Sequence, residues 1–242
     1  METCGAAGVD LSNDERTHDM TKTLFITGAS SGIGAATART AVSRGWSVGL
    51  FARSEDKLTA LAEELGDAAL PLVGDATSLE EQRAAVGKTV DRFGGLNAAF
   101  ANAGTGLSAA GTEKGDPDEW EALVHLNVLG FLWTAKAAMP ALKSSKGHLL
   151  LTGSAAGRRH IKGSVYGASK WFVHGYGGNL AEEMREWGGR CTVIAPGMVD
   201  TPFFDEAKPD KLKPEDIADA AMFALEADPR ACVQEVFVMP TG

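Results

Sequence analysis

Residues 23–34 read TLFITGASSGIG. The first five form a short apolar run bounded by threonines, the pattern of a strand covered on both faces. It runs directly into glycines at 28, 32 and 34, which allow a sharp turn and a close approach to the backbone. A helical pattern follows over roughly 32–44. Strand, glycine turn and helix in this order put the unpaired N–H groups of a helix start at the tip of the turn. There they and the helix dipole favour an anion such as a pyrophosphate. Gly28, Ser30, Ser31, Gly32, Ile33 and Gly34 are the candidate contacts, and the turn reads as a dinucleotide-binding one.

The same alternation continues to the end of the chain. Apolar runs at 46–52, 69–73, 97–101, 148–152, 191–195 and 236–240 read as further strands. Helical patterns fall between them at roughly 54–65, 78–93, 117–142, 163–187 and 214–227. Strands apolar on both sides, separated by amphipathic helices, predict a single α/β domain: a doubly wound, seven-stranded parallel sheet flanked by helices, with ligands at the carboxyl ends of the strands. The 117–142 segment opens with Asp116 as N-cap, Pro117 at the first position and Glu119 at the third. Its interior and that of 163–187 are apolar nearly all round, which suggests that a second subunit covers them in a homodimer or homotetramer.

The chain has 242 residues, 44% hydrophobic and 23% charged, enough for a full core. A net charge of −9 argues against nucleic acid or an anionic membrane surface as partner. No apolar run approaches the roughly 20 residues that span a bilayer. Residues 1–21 are polar and acidic, without the pattern of a signal peptide, and read as a disordered extension ahead of a domain at 22–242. Cys4, Cys191 and Cys232 are too few and scattered for a disulfide framework or a metal site. The compartment these features suggest is the cytoplasm.

Chemistry enters with TGSAAGRRHIKGSVYGASK at 152–170. Tyr166 and Lys170, at i and i+4, lie on one helix face a turn apart. An ammonium beside the phenol can draw its pKa from about 10 toward neutrality, where the group can give and take protons. Ser154, arriving from a strand end, can hydrogen-bond a substrate oxygen.

TGASSGIG at 27–34, ANAG at 101–104, Asn127, Ser154, YGASK at 166–170 and PGMVDT at 196–201 occur in one order. With the GxxxGxG spacing, this order resembles the classical subgroup of the short-chain dehydrogenase/reductase family, from Thr21 to the end. The resemblance implies a Rossmann fold in which Tyr166 is the general acid/base, Ser154 orients the carbonyl or alcohol oxygen, Lys170 lowers the tyrosine pKa and holds the nicotinamide ribose, and Asn127 anchors a water in the proton relay. It assigns Asp75 and Ala76 to adenine. Asn102, Ala103 and Gly104 fall to the cofactor, to support of the sheet, or to both. Pro196, Gly197, Val199 and Thr201 belong to the loop over nicotinamide.

The second strand ends at LFARSEDKL, with Arg53 at the turn and no carboxylate before Glu55. A guanidinium can fork onto a 2′-phosphate, whereas an acidic residue there would suit the 2′-hydroxyl of NAD(H). NADP(H) is the expected cofactor, with NAD(H) the lesser alternative. Thr105, Leu107, Ala155, Arg158, His160, Met198, Phe203 and Phe204 are candidates to line the substrate pocket, most of them apolar, and Ser154 belongs to it. Arg158 and His160 are candidates for a substrate carboxylate or else solvated loop residues. The function these features predict is hydride transfer between NADP(H) and a small-molecule carbonyl or alcohol. The alternative is a catalytically silent NADP(H)-binding regulatory protein on the same fold. A lyase of the halohydrin dehalogenase type would lack the lysine and the glycines.

Overall fold

The computed structural model describes residues 22–109 and 111–242; the extension expected at 1–21 lies outside them. The elements run β1 (Thr23–Thr27), α1 (Gly32–Ser43), β2 (Ser47–Ala52), α2 (Glu55–Leu65), β3 (Ala69–Val73), α3 (Leu79–Phe93) and β4 (Ala98–Ala101), then α4 (Pro117–Val124), α5 (Phe131–Ser145), β5 (His148–Thr152), α6 (Val165–Arg185), β6 (Arg190–Pro196), α7 (Pro214–Glu226) and β7 (Glu235–Val238). All seven strands join one sheet in the order β3-β2-β1-β4-β5-β6-β7, and every pair is parallel.

Successive residues of a strand face opposite sides, and the core divides accordingly. Leu24, Ile26, Phe100, Leu150 and Ile194 pack with α1, α2 and α7. Phe25, Ala99, Leu149, Leu151 and Val193 pack with α3, α5 and α6. Strand order reverses direction between β1 and β4, so the loops after these two strands diverge and leave a crevice at their carboxyl ends.

Local chemistry fixes the helix starts. The Ser78 hydroxyl accepts from the Glu81 N–H at 3.2 Å, and Gly94 closes α3 at φ 81°. The Asp116 carboxylate accepts from the Asp118 N–H at 2.9 Å ahead of Pro117. Glu119 does not complete a capping box with Asp116: its carboxylate reaches the Ser108 N–H at 3.1 Å and ties down the loop before α4.

The helix expected at 117–142 runs to Ser145, with a π-helical segment over His125–Gly130 between α4 and α5. By length and composition the 29 residues Pro117–Ser145 reach what a membrane span requires, contrary to the sequence reading. Leu123, Phe131, Ala135 and Leu142 of this segment are buried in the protein's own core, whereas Val124 is exposed.

Candidate active site

The crevice between the β1 and β4 loops opens into a cavity of about 660 Å³. At one end lies the glycine turn. Gly28 and Gly32 have φ of 67° and 51°, a region that side chains rarely enter. A Cβ on Gly34 would stand 2.3 Å from the Gly28 carbonyl oxygen, so the helix start can reach the turn only without one. Ser31, the N-cap of α1, makes no side-chain cap bond, and the first turn holds no acidic residue. Those N–H groups therefore face the cavity without a competing side chain, a cradle suited to a pyrophosphate. Ser30, Ser31, Gly32 and Ile33 line the cavity, whereas Gly34 is buried behind them.

Arg53, immediately after β2, lines the same end, is exposed, and joins no ion pair among the described residues. Asp75 and Ala76 line it from beyond β3. The Asp75 carboxylate accepts from the Thr77 N–H and hydroxyl through one oxygen, both at 2.8 Å, which fixes its orientation.

Asn102 supports the sheet: its Nδ2 donates to the Thr27 carbonyl at 3.1 Å and its Oδ1 accepts from the Thr152 hydroxyl at 3.0 Å. One amide thus clamps the ends of β1, β4 and β5, while Asn102, Ala103 and Gly104 also line the cavity.

At the opposite end, Ser154, Tyr166 and Lys170 meet. The loop after β5 carries Ser154, whose hydroxyl accepts from the Ala156 N–H at 3.1 Å. Helix α6, capped by the Ser164 hydroxyl on the Gly167 N–H at 2.9 Å, presents Tyr166 and Lys170. Lys170 is buried, with Nζ donating to the Thr152 carbonyl at 2.8 Å and lying 5.7 Å from the Tyr166 ring centre. Loss of hydration brings its pKa down to about 7.

Tyr166 goes the other way from the sequence expectation. Burial raises its pKa, and the neighbouring Ser154 hydroxyl only partly offsets that. Burial thus favours the protonated phenol.

Asn127 sits in the π-helical segment, fully buried, and does not line the cavity. Its Oδ1 accepts from the Thr105 N–H and its Nδ2 donates to the Thr105 carbonyl, each at 2.9 Å. A further bond of 3.4 Å runs to the Ser169 hydroxyl. The side chain assigned to a water relay thus orders the loop after β4 against α6.

Pro196, Gly197, Val199 and Thr201 line the cavity after β6, as do Thr105, Phe203 and Phe204. Phe203 lies 5.7 Å from the Tyr166 ring and meets Phe204 edge-on. Met198, Leu107 and Ala155 fall outside the lining, and Met198 is half exposed. His160 also lies outside it, stacked on Trp171 at 5.5 Å. Arg158 pairs with Glu235, its Nε donating to Oε1 at 3.0 Å. Neither candidate for a substrate carboxylate reaches the cavity. Thr152, which anchors Lys170, carries no pattern of its own in the sequence and emerges only when β5 is placed beside α6. His125 and Leu126, in the cavity wall, read as part of a helix interior.

The sequence profile of the short chain dehydrogenase family matches residues 22–212. An uncharacterized oxidoreductase of Staphylococcus saprophyticus is 40% identical over 90% of this chain and 97% of its own. The alcohol dehydrogenase of the archaeon Thermococcus sibiricus, solved with 5-hydroxy-NADP, superposes with a TM-score of 0.84 at 30% identity, over 91% of this chain and 97% of that one. A metagenomic short-chain oxidoreductase solved with NADP does so at 0.81 and 30% identity, over 92% and 99%. With the sheet order, the glycine turn and the Ser154–Tyr166–Lys170 cluster, these likenesses make the chain an oxidoreductase of the short-chain dehydrogenase/reductase family.

Proposed function

We propose that the protein transfers hydride between NADP(H) and a carbonyl or alcohol carbon of a small, largely apolar substrate, with Tyr166 as general acid and base. The convergence of Ser154, Tyr166 and Lys170 on one end of a cavity whose other end is an anion cradle carries this reading.

When bound, the nicotinamide cofactor supplies or accepts the hydride. The chain's own residues do the rest. The Ser154 hydroxyl holds the substrate oxygen. In reduction Tyr166 protonates that oxygen as its carbon accepts hydride; in oxidation the phenolate removes the alcohol proton. Lys170, anchored on the Thr152 carbonyl, sets a positive charge beside the phenolate as it forms. Arg53, at the cavity mouth, suits a 2′-phosphate, and the archaeal and metagenomic relatives bind 5-hydroxy-NADP and NADP. Phe203 and Phe204 beside Tyr166 favour an apolar substrate body. The outward side chains of α6, Trp171 foremost at 43% exposure, suit a homo-oligomer contact.

The test follows NADPH and NADH absorbance against a panel of aldehydes, ketones, hydroxy acids and their alcohols, with Tyr166→Phe alongside. Turnover is expected with apolar carbonyls, and Tyr166→Phe lowers it by about a thousandfold while NADPH still binds. NADPH binding with no turnover across the panel would identify a binding protein instead.

A further inference from the structure

We propose that His174 is a positioning residue, holding the main chain of Ser154 in place from the next turn of α6 after Lys170. The assignment rests on the reading of Ser154 and Tyr166 given above.

Tyr166, Lys170 and His174 follow one another at intervals of four along α6 and so share a face. The His174 ring lies beneath the turn that carries Ser154. Its Nε2 is 3.1 Å from the Ser154 carbonyl oxygen and 3.5 Å from the Ser154 nitrogen. The carbonyl can only accept and the N–H can only donate, so Nε2 cannot serve both; the shorter contact, 3.1 Å against 3.5 Å, puts the hydrogen on Nε2, donating to the carbonyl. The chain clears space for the ring: a Cβ on Gly153 would stand 2.9 Å from Nε2, and one on Gly157 2.5 Å from Cδ2.

The far side of the ring is equally defined. The His174 side chain is 7% exposed, and Nδ1 has no hydrogen-bond partner among the described residues. It faces Glu235 of β7 at 3.6 Å, but that carboxylate is engaged by Arg158. Burial disfavours charge on the ring, and so do Arg158 on the turn and Lys170 on α6, while the bond to Ser154 works in the opposite sense. The ring stays neutral with its one hydrogen committed to Ser154.

The consequence reaches Tyr166. Ser154 is pinned twice, through its carbonyl by His174 and through its hydroxyl oxygen by the Ala156 N–H. The hydroxyl hydrogen is then free to turn toward the phenol, where a bond to its oxygen favours the phenolate. A loosened turn weakens that bond and moves the tyrosine further from ionisation.

The chain has two tyrosines, so in a Tyr176→Phe background the ultraviolet phenolate signal, read just after a pH jump, reports Tyr166 without any substrate. His174→Phe is expected to raise the titration midpoint by about one pH unit. His174→Gln, whose amide N–H can reach the same carbonyl, should restore it to within a few tenths. Should Phe fail to pack, His174→Leu carries the same expectation. An unmoved midpoint in the apolar variant, or a Gln variant shifted as far, overturns the proposal. Ser154→Ala separates the causes. If it moves the midpoint and His174→Phe does not, the positioning role alone is wrong; if neither does, the Ser154–Tyr166 pairing fails and the proposal with it.

Discussion

Two buried groups with opposed needs stand side by side at the site. The phenol of Tyr166 is pushed toward its protonated form and the amine of Lys170 toward its neutral form, both by loss of water. Each resists the charge that proton transfer requires, and their juxtaposition lowers that resistance because phenolate and ammonium neutralise one another. Holding Lys170 there opposes folding. Its pKa is about 7 in the fold against 10.5 when unfolded, so the unfolded chain binds the extra proton between these values. The penalty is full below pH 7 and fades as pH rises toward 10.5. Lys170→Met should therefore raise the thermal midpoint at pH 7 by about 3 °C, less at pH 10, while abolishing turnover. A lower midpoint by calorimetry would mean that the bond to Thr152 outweighs desolvation. At the other end of the cavity, Arg53→Asp replaces a cation with an anion where a 2′-phosphate would lie. The dissociation constant for NADPH should rise by about a hundredfold and that for NADH by less than about threefold, read by fluorescence titration. Equal weakening of both would remove Arg53 from phosphate recognition.

The glycine turn is an element in which one atom decides the outcome. On Gly34 a Cβ meets backbone at 2.3 Å, which no rotamer relieves. Gly34→Ala should weaken NADPH binding by about a hundredfold or more and lower the thermal midpoint. Gly87, in the middle of α3, has nothing within 4 Å of where its Cβ would be. Gly87→Ala should stabilise the fold by about 0.5–1 kcal/mol in urea titrations, with binding unchanged. If the two variants behave alike, the turn is not the cradle described here. Elements of this kind were legible because their signal is local: β1 spans the five residues read as a strand, and glycine spacing reports backbone geometry directly. The long helix was only partly legible. Asp116 and Pro117 mark its start, yet nothing in HLNVLG distinguishes a π-helical turn from an α-helical one. That turn, with its bonds to Thr105, is what fixes Asn127. Glu119 and Arg158 show the same limit, since their partners Ser108 and Glu235 are set by tertiary approach.

At the scale of the whole molecule, parallel pairing sends every strand's carboxyl end to one edge, so chemistry and stability lie at opposite ends of the sheet. The far end holds His148, at the start of β5. It is 1% exposed, with Nε2 2.7 Å from the Thr192 hydroxyl of β6, which itself donates to the Val233 carbonyl ahead of β7. This chain of bonds joins the last three strands, and none of its residues lines the cavity. Burial, helped by Arg190, drives the His148 pKa down to about 3 from 6.5. Between these values the unfolded chain binds a proton that the native one does not, so stability is full above pH 6.5 and falls as pH drops toward 3. The slope approaches about 1.4 kcal/mol per pH unit, or about 2 kcal/mol between pH 6.5 and 5. His148→Gln keeps a polar partner for Thr192 and carries no titrating group. Carboxylates contribute equally to both proteins on the acid side, so the difference between their urea midpoints at pH 7 and pH 5 isolates the histidine. The variant should lose markedly less stability than the wild type over that interval. Parallel losses would mean that His148 takes up its proton inside the fold and that this end of the sheet opens to water at mildly acidic pH.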